Sequence, residues 1–253
     1  MIGIFDSGIG GLSVARAIRA TFPSADLLYF GDTKNAPYGE KTPAELAELT
    51  VKGLQLLQRE GAASIVSACN SVSTSLAVSL LDAFSIAADQ VIEMVGPTVA
   101  HFKGSDTRIL LVATTATVRS GIYQNAFRMI GKEIDAVALP NLAGAIERGA
   151  DQNEQEGIIR AGLGGAPLEQ YDTLILGCTH YPFAEAAFRT ELGDSIALFD
   201  PAIAVADRVL ARFWPREVGN GTLRFLTSTK TDAFAAAVAA SFPGYTGDIE
   251  VVQ

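Results

Sequence analysis

Ser64-Ile-Val-Ser-Ala-Cys-Asn-Ser71 and Leu174-Ile-Leu-Gly-Cys-Thr-His-Tyr181 decide the fold. In each, a short apolar run with the length of a buried strand breaks at a cysteine into polar, turn-forming sequence. The rest of the chain repeats the pattern: short apolar runs alternate with longer helical ones, which predicts βαβ units and a parallel sheet. Strands are expected at Ile2–Phe5, Leu27–Phe30, Ile65–Ala68 and Ile92–Val95, and again at Ile109–Ala113, Ile134–Leu139, Leu174–Gly177 and Ile196–Phe199. Ligands of open α/β sheets bind outside the carboxyl ends of the strands. A free cysteine is often only a small buried hydrophobe. This chain has two, Cys69 and Cys178, and both stand at strand exits in matching contexts, which marks them as a reactive pair.

The two sets of strands march in step. From Asp6 to Cys69 is close to the distance along the chain from Thr114 to Cys178. Each fourth strand runs into a proline and an apolar helix, at Gly96-Pro97 and Asp200-Pro201. The expected fold is α/β: two similar parallel-sheet domains related by a pseudo-twofold axis, with the active site in the cleft between them. The expected division is 1–96 with 208–253, and 97–207. The first domain is discontinuous because the strand Leu223–Leu226, the helix Asp232–Ala240 and the strand Ile249–Val252 can pack back through right-handed crossovers. A helix start is plain at Lys41-Thr-Pro-Ala-Glu45, with Thr42 as N-cap, Pro43 at the first position and Glu45 at the third.

Composition narrows the partners. Of 253 residues, 49% are hydrophobic and 19% charged, an ordinary globular balance. The net charge of −9, with no basic stretch to offset it, argues against nucleic acid and anionic membrane. No apolar stretch is long enough to span a bilayer. Met1-Ile-Gly-Ile-Phe5 enters a strand without the regions of a signal peptide, so a cytoplasmic protein is expected. A structural disulfide is not expected there. With only His101 and His180 and no Cys-x-x-Cys spacing, neither is a metal site.

Asp6-Ser-Gly-Ile-Gly-Gly11 leaves a strand and opens a helix, where glycines let backbone amides approach an anion. The spacing is not that of a dinucleotide fingerprint or a P-loop. Asp6 would repel a phosphate, so a substrate carrying both ammonium and carboxylate fits better, with Asp6 in a basic role. In Gly31-Asp-Thr-Lys-Asn-Ala-Pro-Tyr-Gly39, Pro37 sets a turn that offers the amides of Tyr38 and Gly39 to a ligand. Asn70, Ser71, Ser73, Thr74 and Ser75 follow Cys69, and Thr179 and His180 follow Cys178. Donors at helix starts are expected to lower the thiol pKa values and to hold a carboxylate. His180 can activate Cys178 or partner a neighbouring group.

Two thiols from opposite halves suit inversion of a stereocentre, where one base removes the α-proton and an acid on the other face returns it. Donors at the cysteine loops then stabilise the charge that develops on the carboxylate. A Cys–His nucleophile needs only one cysteine, and a redox dithiol needs its sulfurs in contact. A non-catalytic, two-lobed amino-acid-binding protein remains an alternative, though it has no use for thiols.

Five segments carry a family resemblance: Gly3-Ile-Phe-Asp-Ser-Gly-Ile-Gly-Gly-Leu12; Phe30-Gly-Asp-Thr33 with Pro37-Tyr-Gly39; Ala68-Cys-Asn70; Ala113-Thr-Thr-Ala-Thr117 with Ser120-Gly121; and Leu176-Gly-Cys-Thr-His-Tyr-Pro182. They resemble the glutamate racemases of the cofactor-independent aspartate/glutamate racemase superfamily. The resemblance implies Cys69 and Cys178 as paired acid and base, Asp6 and His180 as assistants, and Glu147 as an auxiliary acid. It implies substrate contacts from Asp6, Ser7, Tyr38, Gly39, Asn70, Ser71, Thr179 and His180. It further implies no metal or other cofactor, a homodimer, and supply of D-glutamate for peptidoglycan. A racemase for aspartate or another acidic amino acid, or a single-cysteine decarboxylase of the same fold, stays open. Ser71 replaces the usual Thr, Lys34-Asn35 the commoner Ala-Arg, and Leu139 a Cys found in many relatives.

Overall fold

The computed structural model describes residues 1–74 and 87–252; Ser75 lies outside the described residues. The strands are β1 (Ile2–Asp6), β2 (Leu27–Gly31), β3 (Ser64–Ser67), β4 (Val91–Ile92), β5 (Ile109–Ala113), β6 (Asp135–Ala138), β7 (Thr173–Gly177), β8 (Ala197–Phe199), β9 (Leu223–Thr227) and β10 (Ile249–Val251). They form a six-stranded sheet in the order β10-β9-β2-β1-β3-β4 and a four-stranded sheet in the order β6-β5-β7-β8. Every pairing within the two sheets is parallel.

The orders β2-β1-β3-β4 and β6-β5-β7-β8 are the same pattern written twice. Strands β1, β2, β3, β5 and β7 are buried along their whole length, as expected of inner strands covered by helices on both faces. The edge strands β6, β8 and β10 are only partly covered. Register carries all the key exits to one end of each sheet. Asp6 pairs with Gly31 and Phe5 with Ser67 in the first, while Ala113 pairs with Gly177 in the second.

One apolar core runs through both halves. Ile4 and Leu12 share it with Leu110, Val112, Leu176, Val205 and Val209, and the helix Leu12–Thr21 packs against the helix Pro201–Phe213. Burying each such aliphatic side chain contributes about 1.5–3 kcal/mol. The helix Pro43–Arg59 begins with the expected capping box: Glu45 N donates to Thr42 Oγ1 at 3.3 Å, and Thr42 N donates to a Glu45 carboxylate oxygen at 2.8 Å.

The sequence overextends the strand at Ile92–Val95. It stops at Ile92, because the Glu93 carboxylate turns back to accept the amides of Val95 and Gly96, both at 2.6 Å, and opens the helix Val95–His101. No helix among the described residues is long and apolar enough to cross a membrane.

Candidate active site

Cys69 follows β3 by two residues and caps the short helix Asn70–Ser73; Cys178 follows β7 directly. Both are free and buried. Both line one narrow cavity, together with Ser7, Tyr38, Gly39, Asn70, Ser71, Thr179 and His180. The two sulfurs therefore reach a single space from two different sheets. A larger hollow shares the walls formed by Pro37, Gly39, Thr114 and Ala143. Among the described residues no group of three or more His, Cys, Asp or Glu side chains is placed to hold a metal ion.

In the glycine loop two amides serve the protein's own carboxylates: Gly8 N donates to Asp6 Oδ2 at 3.0 Å, and Ile9 N to Glu147 Oε2 at 3.1 Å. Its glycines make room for the second half. A methyl group on Gly8 would collide with the Glu147 carboxylate, and one on Gly10 would lie 2.5 Å from His180 Nδ1. The loop is thus a close-packed seam between the halves, where Thr179 Oγ1 also donates to the fully buried Asp6, at 3.2 Å to Oδ1.

Behind Cys178 runs a relay. His180 Nδ1 lies 3.8 Å from the Cys178 sulfur, and its Nε2 lies 2.5 Å from Glu147 Oε2. A carboxylate can only accept, so Nε2 carries a proton and Nδ1 faces the thiol. Behind Cys69 no such chain is found among the described residues: its thiol points to Ser7 Oγ at 3.8 Å. Tyr38 is fixed by its hydroxyl, which donates to Asp32 Oδ2 at 2.6 Å, while the Asn35 amide holds both oxygens of that carboxylate.

A model of the Asp/Glu/hydantoin racemase family matches residues 12–209. The chain belongs to this family. The glutamate racemase of Desulforudis audaxviator is 36% identical over 96% of this chain and 93% of its own length. A glutamate racemase of Bacillus anthracis superposes with a TM-score of 0.88 at 27% identity, covering 100% of this chain and 97% of that one. The glutamate racemase of Thermus thermophilus, solved with β-chloro-D-alanine, gives a TM-score of 0.83 at 32% identity over 100% of this chain and 96% of that one.

Within this racemase-family site the two thiols sit in unequal fields. Helix-start donors were expected to lower both thiol pKa values, and for Cys69 the structure reverses that. Burial, followed by the negative charge of Asp6, pushes its thiol up to about 12, and the amide of Val72 does not offset them. The helix it caps spans only Asn70–Ser73, so little helix dipole is available to offset burial. His180 moves the other way. Burial opposes its charge, but the bonds to Cys178 and Glu147 outweigh that and hold it well above the ordinary imidazole range, so it stays protonated at neutral pH.

Two groups escaped the sequence reading. Thr114 Oγ1 meets Ser71 Oγ at 3.0 Å and Thr117 Oγ1 at 3.1 Å, a hydroxyl chain across the seam. The Tyr123 hydroxyl donates to Asn70 Oδ1 at 2.6 Å. Thr114 and Thr117 belong to the segment Ala113-Thr-Thr-Ala-Thr117 that carries the family resemblance, but nothing in their spacing points to Ser71. Tyr123 reads simply as an apolar-face residue of the helix Ile122–Met129.

Proposed function

We propose that this racemase-family chain interconverts L- and D-glutamate through two thiols, without metal or pyridoxal phosphate, and supplies D-glutamate for peptidoglycan. One observation carries the reading: Cys69 and Cys178 line one cavity from matching strand exits of two sheets that share one strand order. Names and a ligand support the substrate: the relatives above are glutamate racemases, and one was solved with a small amino acid.

In one direction the Cys178 sulfur, as thiolate beside the His180 imidazolium, takes the α-proton, and the electron pair of the broken C–H bond spreads into the α-carboxylate. The Cys69 thiol then gives its proton to the opposite face of the carbon. The reverse direction exchanges the two sulfurs' roles. Glu147 holds His180 in position and stabilises its charge, and Asp6 is placed to assist at Cys69, whose field it dominates after burial. The amides and side chains of Ser7, Tyr38, Gly39, Asn70, Ser71 and Thr179 receive the ammonium and the carboxylates.

The reading includes a division into 1–96 with 208–253 and 97–207, in keeping with sheet membership, along with a homodimeric state and a cytoplasmic setting. Circular dichroism of L- and D-glutamate incubated with the protein tests it, with no cofactor added. Racemisation is expected for the native chain, and loss of at least about 10³-fold for Cys69→Ser and for Cys178→Ser, since each removes an acid–base group. Continued racemisation by the double serine variant would defeat the two-thiol mechanism.

A further inference from the structure

We infer that Tyr123 is a positioning residue for the reaction: its hydroxyl fixes the Asn70 carboxamide with Nδ2 held as a donor for the substrate carboxylate. The inference rests on the racemase reading and adds a residue to it.

Asn70 is buried and lines the cavity of the two thiols. A carboxamide has an acceptor end and a donor end, and rotation about its last torsion exchanges them at little cost. The partner of one end therefore decides what the other end offers. Here Oδ1 accepts from the Tyr123 hydroxyl at 2.6 Å, while Nδ2 is buried with no hydrogen-bond partner among the described residues. A buried donor left unmet is costly in the free protein and is satisfied by a ligand that brings an acceptor. A carboxylate is such a ligand. The opposite orientation would present an oxygen to it and repel it.

The phenol is suited to the task. Tyr123 is fully buried, and burial together with the charge of Glu93 raises its pKa, so it keeps its proton and remains a donor. Its ring belongs to the apolar cluster that includes Val95, Val99, Phe102 and Phe127, which holds the hydroxyl in place. It belongs to the half that carries Cys178, and Asn70 to the half that carries Cys69. The donor is oriented only where the two halves meet.

Tyr123→Phe keeps the packing and removes the bond. Its melting temperature is expected within a few degrees of the native value, with kcat/KM for glutamate about tenfold lower, as for loss of one orienting hydrogen bond. Combined with Asn70→Ala, it is expected to add less than about twofold to the loss caused by Asn70→Ala alone, because the tyrosine acts through that amide. Undiminished kcat/KM in Tyr123→Phe, or a tenfold loss that persists in the Asn70→Ala background, overturns the inference. Asn70→Asp supplies a second arm. It retains the bond from Tyr123 but offers the substrate an oxygen, so KM is expected to rise at least about tenfold; an unchanged KM overturns the inference. A native chain that does not racemise glutamate removes the underlying reading, an outcome separate from these.

Discussion

Gly10→Ala is the sharpest test of the seam between the halves. An added methyl would stand 2.5 Å from both His180 Nδ1 and Thr179 Oγ1, where ordinary contact begins at 3.4 Å. Imidazole and hydroxyl must therefore retreat by roughly 0.9 Å, the difference of those distances. Gly10 does not lie at positive φ, so alanine meets no backbone strain there. Through the unfolded chain alone the exchange would stabilise by about 0.4–1 kcal/mol. Overpacking of a buried site costs about 1–3 kcal/mol, leaving a net loss of about 1.3 kcal/mol at the midpoints of the two ranges. At roughly 2–4 °C per kcal/mol for a chain of this size, the melting temperature falls by only a few degrees.

Activity suffers more. Displacing a catalytic group by about 1 Å costs on the order of 10²-fold, and His180 is displaced while tied to Cys178 and Glu147. Polarimetric assay of glutamate racemisation beside a calorimetric melt separates the two effects. Gly157→Ala is the control, since its added methyl has open space within the helix Gln152–Leu163. It is expected to gain about 0.5–1 kcal/mol and keep full activity. If Gly10→Ala behaves like Gly157→Ala, the close approach of loop and imidazole is not what the glycine is for.

For Asp6→Asn, turnover should fall by about 10²-fold with a smaller change in KM, since an assisting base is removed and its bonds to Gly8 and Thr179 are largely kept; unchanged turnover would end its assisting role. Glu147→Gln removes the charge that helps keep His180 protonated, so the alkaline limb of kcat/KM should move to lower pH, and a limb that stays put would contradict the relay. The Cys69 thiol also predicts a stability effect. Its folded pKa, about 12, lies above the ordinary 9.0, so its contribution is complete below pH 9 and is lost as pH rises toward 12. By pH 10.5 the loss is about 2 kcal/mol, to be read as a difference in urea midpoints that Cys69→Ala should abolish.

Much of this protein is legible in its sequence because a parallel sheet speaks through short apolar runs, and each of the ten strands among the described residues overlaps one of the expected segments. The doubling into two similar halves emerges from the spacing of Asp6 to Cys69 and Thr114 to Cys178, although the strand order itself does not. What resists reading is anything decided across the seam. Asp6-Ser-Gly-Ile-Gly-Gly11 suggests an anion cradle, yet the amides of Gly8 and Ile9 go to Asp6 and to Glu147, the latter 138 positions away from Ile9. The rise of the Cys69 pKa depends on burial, which no local motif records. Glu93 ends a strand that its apolar neighbours would continue, because a carboxylate two residues before an amide can cap it. Tyr123 looks like core, and is core, apart from one oxygen.

The unequal settings of the two sulfurs carry a kinetic consequence. Enantiomers have equal free energy, so their interconversion has an equilibrium constant of one. The Haldane relation then forces kcat/KM to be the same for both mirror forms. An imidazolium beside Cys178 and a carboxylate near Cys69 cannot make the enzyme favour one hand in that ratio. Their asymmetry can surface only as kcat and KM that differ between the two forms by the same factor, one hand held tightly and turned slowly, the other held loosely and turned fast.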